Sequence, residues 1–290
     1  MTCDVVHRTL YHYSEPVTVS QHAACLEPRA LPGQQVEDFS LSIEPAPPLR
    51  KTRTDYFGNR VCFFSIQKVH SRLEIVAESR VTIAAVTPPA LSLSPPWENV
   101  ARLFSDPVSP EVARPYEFVF DSPLLRASPA LAGYARPSFV PGAPLLSAVL
   151  DLTRRIHADF KYDRVATTVA TPLEEVVKKQ RGVCQDFAHL AIASLRSLGL
   201  AARYVSGYLR TRPPAGKTAM IGADASHAWF SVFCPELGWV DFDPTNNLMP
   251  ETDHVTLAYG RDFGDVSPIS GILTGGGKHD VKVAVTVTVL

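Results

Sequence analysis

The chain has 290 residues, enough for one large or two ordinary domains with real cores. Its 28 Lys and Arg nearly balance 29 Asp and Glu, a formal net charge of −1, so nothing in the charge points to nucleic acid or anionic lipid as a partner. No run reaches the roughly 18 apolar residues of a membrane-spanning helix, and Met1 to Arg8 lacks the charged start and apolar core of a signal peptide.

Cysteine usage extends this. Cys3, Cys25, Cys62, Cys184 and Cys234 are an odd, scattered set without CxxC spacing, which suits free thiols better than a disulfide framework or a zinc site. A cytoplasmic location is therefore the expectation, with no membrane association. The oligomeric state is open.

From Val5 to Ala85 the pattern is β-rich. Val5 to Tyr13 reads as a strand ended by Ser14-Glu15-Pro16, and Phe39 to Ile43 alternates apolar with polar until Pro45. Phe57-Gly58-Asn59-Arg60 is a turn before the run Val61 to Ile66, and Leu73 to Ile83 is largely period-two. Short strands separated by turns predict an N-terminal antiparallel β-sandwich over residues 1–85.

Residues 86–140 are rich in Pro, Ser and Ala. They also carry Trp97, Leu103, Phe104, Phe118 and Phe120, so a connector packed on a surface is expected. The remaining 141–290 is expected to be a catalytic core with a C-terminal β extension. Leu145 to Phe160 is an amphipathic helix, and Thr171-Pro172-Leu173-Glu174-Glu175 is a second helix start with Thr171 as its cap.

Gly182-Val183-Cys184-Gln185-Asp186-Phe187-Ala188-His189-Leu190 then opens a helix at Cys184, with Asp186 in its first turn and Gly199 beyond its end. A thiol at a helix N-terminus faces unpaired backbone N–H groups and the positive end of the dipole, which favour thiolate. Gly182 would let the backbone approach a reacting carbonyl. Taken alone, a buried Cys that merely starts a helix is the more common case.

Two strands follow with the groups a nucleophilic thiol needs. Ala202 to Leu209 is a strand, and a polar loop with Pro213, Pro214, Gly216 and Gly222 leads to a further strand from His227 to Phe233. A hairpin connects this strand to Trp239-Val240-Asp241-Phe242-Asp243, closed by Pro244-Thr245. Antiparallel pairing can set His227 beside an acid, giving an imidazole to move the proton and a carboxylate to fix its tautomer. Asp243 and Asp241 both suit the second role, and Asp243 before Pro244 is equally suited to capping a turn. Asp186 and His189 read first as helix residues. Trp229 and Trp239 read as core aromatics or as walls of a substrate channel. Arg261 to Val266 is a polar loop, Gly275-Gly276-Gly277 a tight turn, and Val281 to Leu290 a last strand with one solvated face.

The Cys184 segment, the run Leu195 to Tyr208, Ser226-His227-Ala228-Trp229 and Gly238 to Asn246 together resemble the bacterial transglutaminase-like cysteine protease family, over roughly residues 140–250. Leu26-Glu27-Pro28-Arg29 and Asp55 to Arg60 resemble the β-rich domain ahead of that core, and the Gly260 to Val266 loop and the triple-Gly turn also look like family features. The resemblance implies an α+β fold in which a papain-like core packs the Cys-bearing helix on an antiparallel sheet bearing His and Asp. It also implies Cys184 as nucleophile, His227 as general base and Asp243, in preference to Asp241, as orienter. The oxyanion hole would include the N–H of Cys184, with Gln180 and Trp239 as candidates for the second donor.

The activity so implied is thioester-forming acyl transfer on a peptide or protein substrate. A peptidase or amidase is the first expectation, protein-glutamine transamidation the alternative, and a silent binding scaffold the distant third. No acidic run like the calcium sites of animal transglutaminases is present, and Asp262 and Asp265 are too few to make one, so no cofactor or metal is expected.

Overall fold

The computed structural model describes residues 1–85, 87–105, 110–169, 171–211, 215–216 and 225–290. Five strands come first: β1 (Thr2–Ala24), β2 (Gln34–Glu44), β3 (Leu49–Thr54), β4 (Arg60–Ile66) and β5 (His70–Ile83). Four helices follow, α1 (Trp97–Ser105), α2 (Pro110–Tyr116), α3 (Pro129–Ala135) and α4 (Leu145–Asp159). Next are β6 (Lys161–Tyr162), α5 (Leu173–Lys179), β7 (Arg181–Gly182) and α6 (Cys184–Arg196). The chain ends through β8 (Ala202–Leu209), β9 (Ser226–Cys234), β10 (Gly238–Phe242), β11 (His254–Gly260), β12 (Ile269–Gly275) and β13 (His279–Val289). Among the described residues no helix is long and apolar enough to cross a membrane.

The N-terminal strands form one curled antiparallel sheet in the order β2-β5-β1-β4-β3, with β12 and β13 also pairing β1. The strand expected to stop at Pro16 instead runs on to Ala24. A register shift between His12 and Val17 absorbs the exposed Pro16, whose carbonyl still accepts the Gly276 N–H. Beyond this bend β1 changes partners from β5 and β13 to β4 and β12, so residues of both branches (Ile43, Phe64, Ile75) close on one core. The C-terminal strands thus return to the first strand of the chain.

The helices of the Pro-rich stretch do more than cover a surface. Trp97, Val100, Phe104, Phe118, Leu131 and Phe139 share one core with α4 and α6, whereas Leu103 and Phe120 are exposed. The second helix start lies one residue later than expected. Pro172 occupies the cap position of α5, and the Thr171 hydroxyl oxygen accepts the Thr168 N–H instead. Most of the polar loop expected between β8 and β9 lies outside the described residues.

The core sheet has the order β10-β9-β8-β11 and is antiparallel throughout. Helix α6 packs on it through Phe187, Leu190, Ala191 and Leu195, against Ala228, Phe230 and Val232, the alternate residues of β9. The two sheets meet where Val5, Val81, Ile83 and Val287 pack against Tyr208, Val255 and Leu257.

Two carboxamides complete that junction by standing in for a neighbouring strand along β11. Gln34 bonds both the Thr256 N–H (2.8 Å) and C=O (2.7 Å), and Asn59 does the same at Tyr259 (2.9 and 2.8 Å). Asn59 is fully buried and also accepts from Arg29, which ties the Leu26 to Arg29 and Asp55 to Arg60 segments to the core. Asn59→Ala leaves two backbone groups unpaired and is expected to cost roughly 2–3 kcal/mol. A drop in the urea midpoint with unchanged slope checks this.

Candidate active site

Cys184 is the first residue of α6 and is 9% exposed. Its helix begins cleanly because Asp186 folds back on the entry: the Val183 N–H donates to Asp186 Oδ2 (2.8 Å), as does the Thr167 hydroxyl (2.7 Å). Burial raises the Asp186 pKa, and these two donors pull it back in part. A Cβ on Gly182 would stand 2.5 Å from Asp186 Oδ2, so this glycine makes room for the capping carboxylate. The Cys184 N–H, at the first helical position, is one of the donors a helix leaves unpaired.

His227 lies near the start of β9, opposite Gly207 of β8, and is 1% exposed. Its Nε2 is 2.8 Å from Asp243 Oδ2. Asp243 is fully buried just past β10, in a turn closed by backbone bonds in both directions with Leu248. Its two oxygens divide the roles that the sequence leaves in competition. Oδ1 caps the turn, accepting the N–H groups of Thr245 (2.9 Å) and Asn246 (3.1 Å), while Oδ2 faces the imidazole. Asp241, the rival, instead accepts from Trp229 Nε1 (3.0 Å) and the Ser231 hydroxyl.

Burial alone would lower the His227 pKa, but Asp243 and then Cys184 outweigh it and push it up to about 10. Burial would likewise raise Asp243, yet the His227 and His254 imidazoles hold it well below the usual carboxylate range. His227 Nδ1 makes no hydrogen bond, and Cys184 is among the groups that raise the pKa of the ring. Catalytic bonds in unliganded sites are commonly misaligned and tighten on binding.

A residue absent from the sequence reading completes the cluster. His254, the first residue of β11, places Nε2 3.1 Å from the same Asp243 oxygen and is 5% exposed. It lies 11 positions beyond Asp243, outside every motif, and only the pairing of β11 with β8 brings it in. The donor atoms of His227, Asp243 and His254 all fall within 4.8 Å of one another, a spacing that could hold a divalent cation. Both Nε2 atoms already engage Asp243 Oδ2, so a cation there would have to replace those bonds.

The remaining candidates sit elsewhere. Trp229 is fully buried, with its ring edge-on to His254, so it cannot wall a channel. Trp239 stacks under the Arg203 guanidinium (4.3 Å) and against Phe118 and Phe233. Gln180 is the exposed left-handed cap of α5 (φ 50°), and its carbonyl accepts the Lys161 N–H. His189 is buried, its pKa lowered to about 4 by that burial, and its Nε2 accepts the Phe263 N–H (3.1 Å). Asp262 accepts the N–H groups of Gly264 and Leu124, and Asp265 pairs with Arg261. A cleft of about 380 Å³ bordered by Arg126, Leu173, Glu174, Asp186 and His189 opens beside the first turns of α6.

Known proteins resemble both parts of the chain. Residues 3–82 match the bacterial transglutaminase-like N-terminal region, and residues 134–244 match the transglutaminase-like superfamily. An uncharacterised protein of Mycobacterium tuberculosis is 41% identical over 284 residues, 96% of this chain and 89% of its own. One from Mycobacterium leprae is 32% identical over 98% of this chain and 97% of its own. A protein-glutamine gamma-glutamyltransferase of Pseudomonas aeruginosa is 32% identical over 125 residues, 42% of this chain and 18% of that one. The crystal structure of a candidate cysteine protease from Cytophaga hutchinsonii shares the fold, with a TM-score of 0.72 at 21% identity over 99% of this chain and 90% of that one. With its β-rich N-terminal region, its helix-start cysteine and its His-bearing sheet, the chain belongs to the bacterial transglutaminase-like family.

Proposed function

We propose that the protein is a thiol-dependent amidase or peptidase that passes an acyl group from a peptide or side-chain amide to water through a thioester on Cys184. The observation that carries this reading is His227 held by Asp243 through Nε2, which leaves Nδ1 for the sulfur. The thiolate attacks the amide carbonyl, and the oxyanion is met by the Cys184 N–H. His227, as imidazolium, gives its proton to the departing nitrogen, and the C–N bond breaks. Neutral His227 then takes a proton from water as that water attacks the thioester. The C–S bond breaks, the acid leaves, and the thiolate–imidazolium pair is restored.

Water is taken as acceptor because Trp229 and Trp239 each have a packing role that accounts for them. One is enclosed behind His254 and the other is stacked on Arg203. The transamidase reading keeps a specific support in the 125-residue similarity to the Pseudomonas aeruginosa glutamyltransferase. A glutamine-containing peptide offered with a labelled primary amine separates the two. The expected result is ammonia or cleaved peptide with little amine incorporated. Dominant incorporation would reassign the protein as a transamidase.

A further inference from the structure

The Asp243 carboxylate serves more donors than a Cys-His-Asp relay needs. Its Oδ2 atom accepts from His227 Nε2 (2.8 Å), from Asn246 Nδ2 (2.8 Å) and from His254 Nε2 (3.1 Å). An ionised carboxylate only accepts, so the His254 tautomer has its hydrogen on Nε2. Its other nitrogen, Nδ1, is buried without a partner, which a lone pair tolerates better than an N–H would. The ring is fixed from both sides: it stands edge-on to Trp229 at 5.1 Å between centroids and lies 6.2 Å from the His227 ring. Trp229 is in turn anchored to Asp241.

We infer that His254 is a positioning residue of this site, a second imidazole donor that shares one oxygen of Asp243 with His227 and so tempers the hold of that carboxylate on His227. The inference rests on the acyl-transfer reading above. Its physical basis is competition: an oxygen already accepting charge-directed bonds from two other donors is a weaker acceptor for the third. The consequence bears on proton transfer. His227 must keep its proton long enough to pair with the thiolate and still release it to the leaving nitrogen. An undiluted Asp243, bonded at Nε2, would make the ring too basic to release the Nδ1 proton. Other charged and titratable groups near His254 belong to the 430 Å³ cavity that it also lines, namely Arg203 from β8, Asp241 from β10, Glu251 from the loop before β11, and Tyr259 from β11 itself. Arg203 and Asp241 are already engaged, by Trp239 and Tyr259 and by Trp229 and Ser231 respectively, whereas Asp243 is the acid in hydrogen-bond contact with the His254 ring.

The test is the pH dependence of Cys184 alkylation by iodoacetamide in the full chain, which needs no knowledge of the substrate. The rate rises on the alkaline side where the thiolate–imidazolium pair loses its proton. His254→Phe keeps a ring against Trp229 but removes the donor, and it is expected to move that alkaline limb up by about one pH unit. His254→Gln restores an N–H near the Nε2 position and is expected to keep the wild-type limb. An unmoved limb in His254→Phe overturns the inference, and so does an equal displacement in both variants, since packing alone would then account for it. If wild-type Cys184 shows no preferential alkylation, the acyl-transfer reading itself fails. That outcome is distinct from a normal wild-type profile that the two variants leave in place.

Discussion

Replacing Cys184 with Ala, or His227 with Ala, is expected to lower turnover by at least about 10⁴-fold; Cys184→Ala leaves the melting transition nearly intact, whereas His227→Ala, which strands the buried Asp243 carboxylate, lowers it. The two losses should not add, because sulfur and imidazole act as one unit and the second removal takes away nothing further. Stability is spared at position 184 because the helix start is held by Asp186 and Gly182. The check is kcat/KM for the two single variants and the double variant, alongside thermal unfolding. A double variant far worse than either single one would mean that the two residues contribute separately.

Asp243→Asn is expected to lower turnover by about 10²- to 10⁴-fold and, like His227→Ala but unlike Cys184→Ala, to destabilise the fold as well. The amide must place either a donor or a weaker acceptor against His227, His254 and the Asn246 side chain, all of which donate to Oδ2. Asp243→Ala is harsher, since it also strands the N–H groups of Thr245 and Asn246. Breaking a buried, paired charge in this way costs about 3–5 kcal/mol.

The pH dependence of that stability difference has a definite sign. The folded His227 pKa lies above its ordinary 6.5, so its contribution is complete below 6.5 and is lost as pH rises through about 10. Asp243 lies below its ordinary 3.8, so its contribution is present above 3.8 and lost only in stronger acid. The gap between wild type and Asp243→Asn should therefore be widest between 3.8 and 6.5 and should narrow through the alkaline range. Urea midpoints across pH measure it. A gap that widens toward pH 10 would contradict the ion-pair account.

How much of this was legible in the sequence depended on whether local pattern or distant partners set each element. Helix α4 announces itself because one face is buried and the periodicity records it, whereas α6 and β8 are buried nearly throughout and are marked by their motif and by Gly182 and Gly199 at the ends of α6. Strand β3, all of whose residues are exposed, carries no apolar alternation, so Leu49 to Thr54 gave no strand signal. Strand β11 failed for the opposite reason: every residue is buried, and a continuous buried run has no period. In the site, Cys184, His227 and Asp243 were readable because each sits in a local motif. His254 was not, because it joins them only through sheet pairing, and Asp186 was visible as a helix-start acid without its partner Thr167.

The central claim is that Cys184 differs chemically from the other thiols, and burial cannot be the reason. All five cysteines are buried and free, and Cys184 is 9% exposed against 0–6% for the rest. Burial pushes the Cys3 and Cys234 thiols up to about 11 and Cys25 to about 12, while Cys184 opens a helix and is among the groups that raise the pKa of the His227 imidazole. The most direct measurement is residue-resolved iodoacetamide labelling of the folded protein near neutral pH, read by peptide mass spectrometry. The account predicts that Cys184 is modified far faster than Cys3, Cys25, Cys62 and Cys234, and that this preference disappears in His227→Ala. Equal rates at all five cysteines in the folded wild type would contradict it.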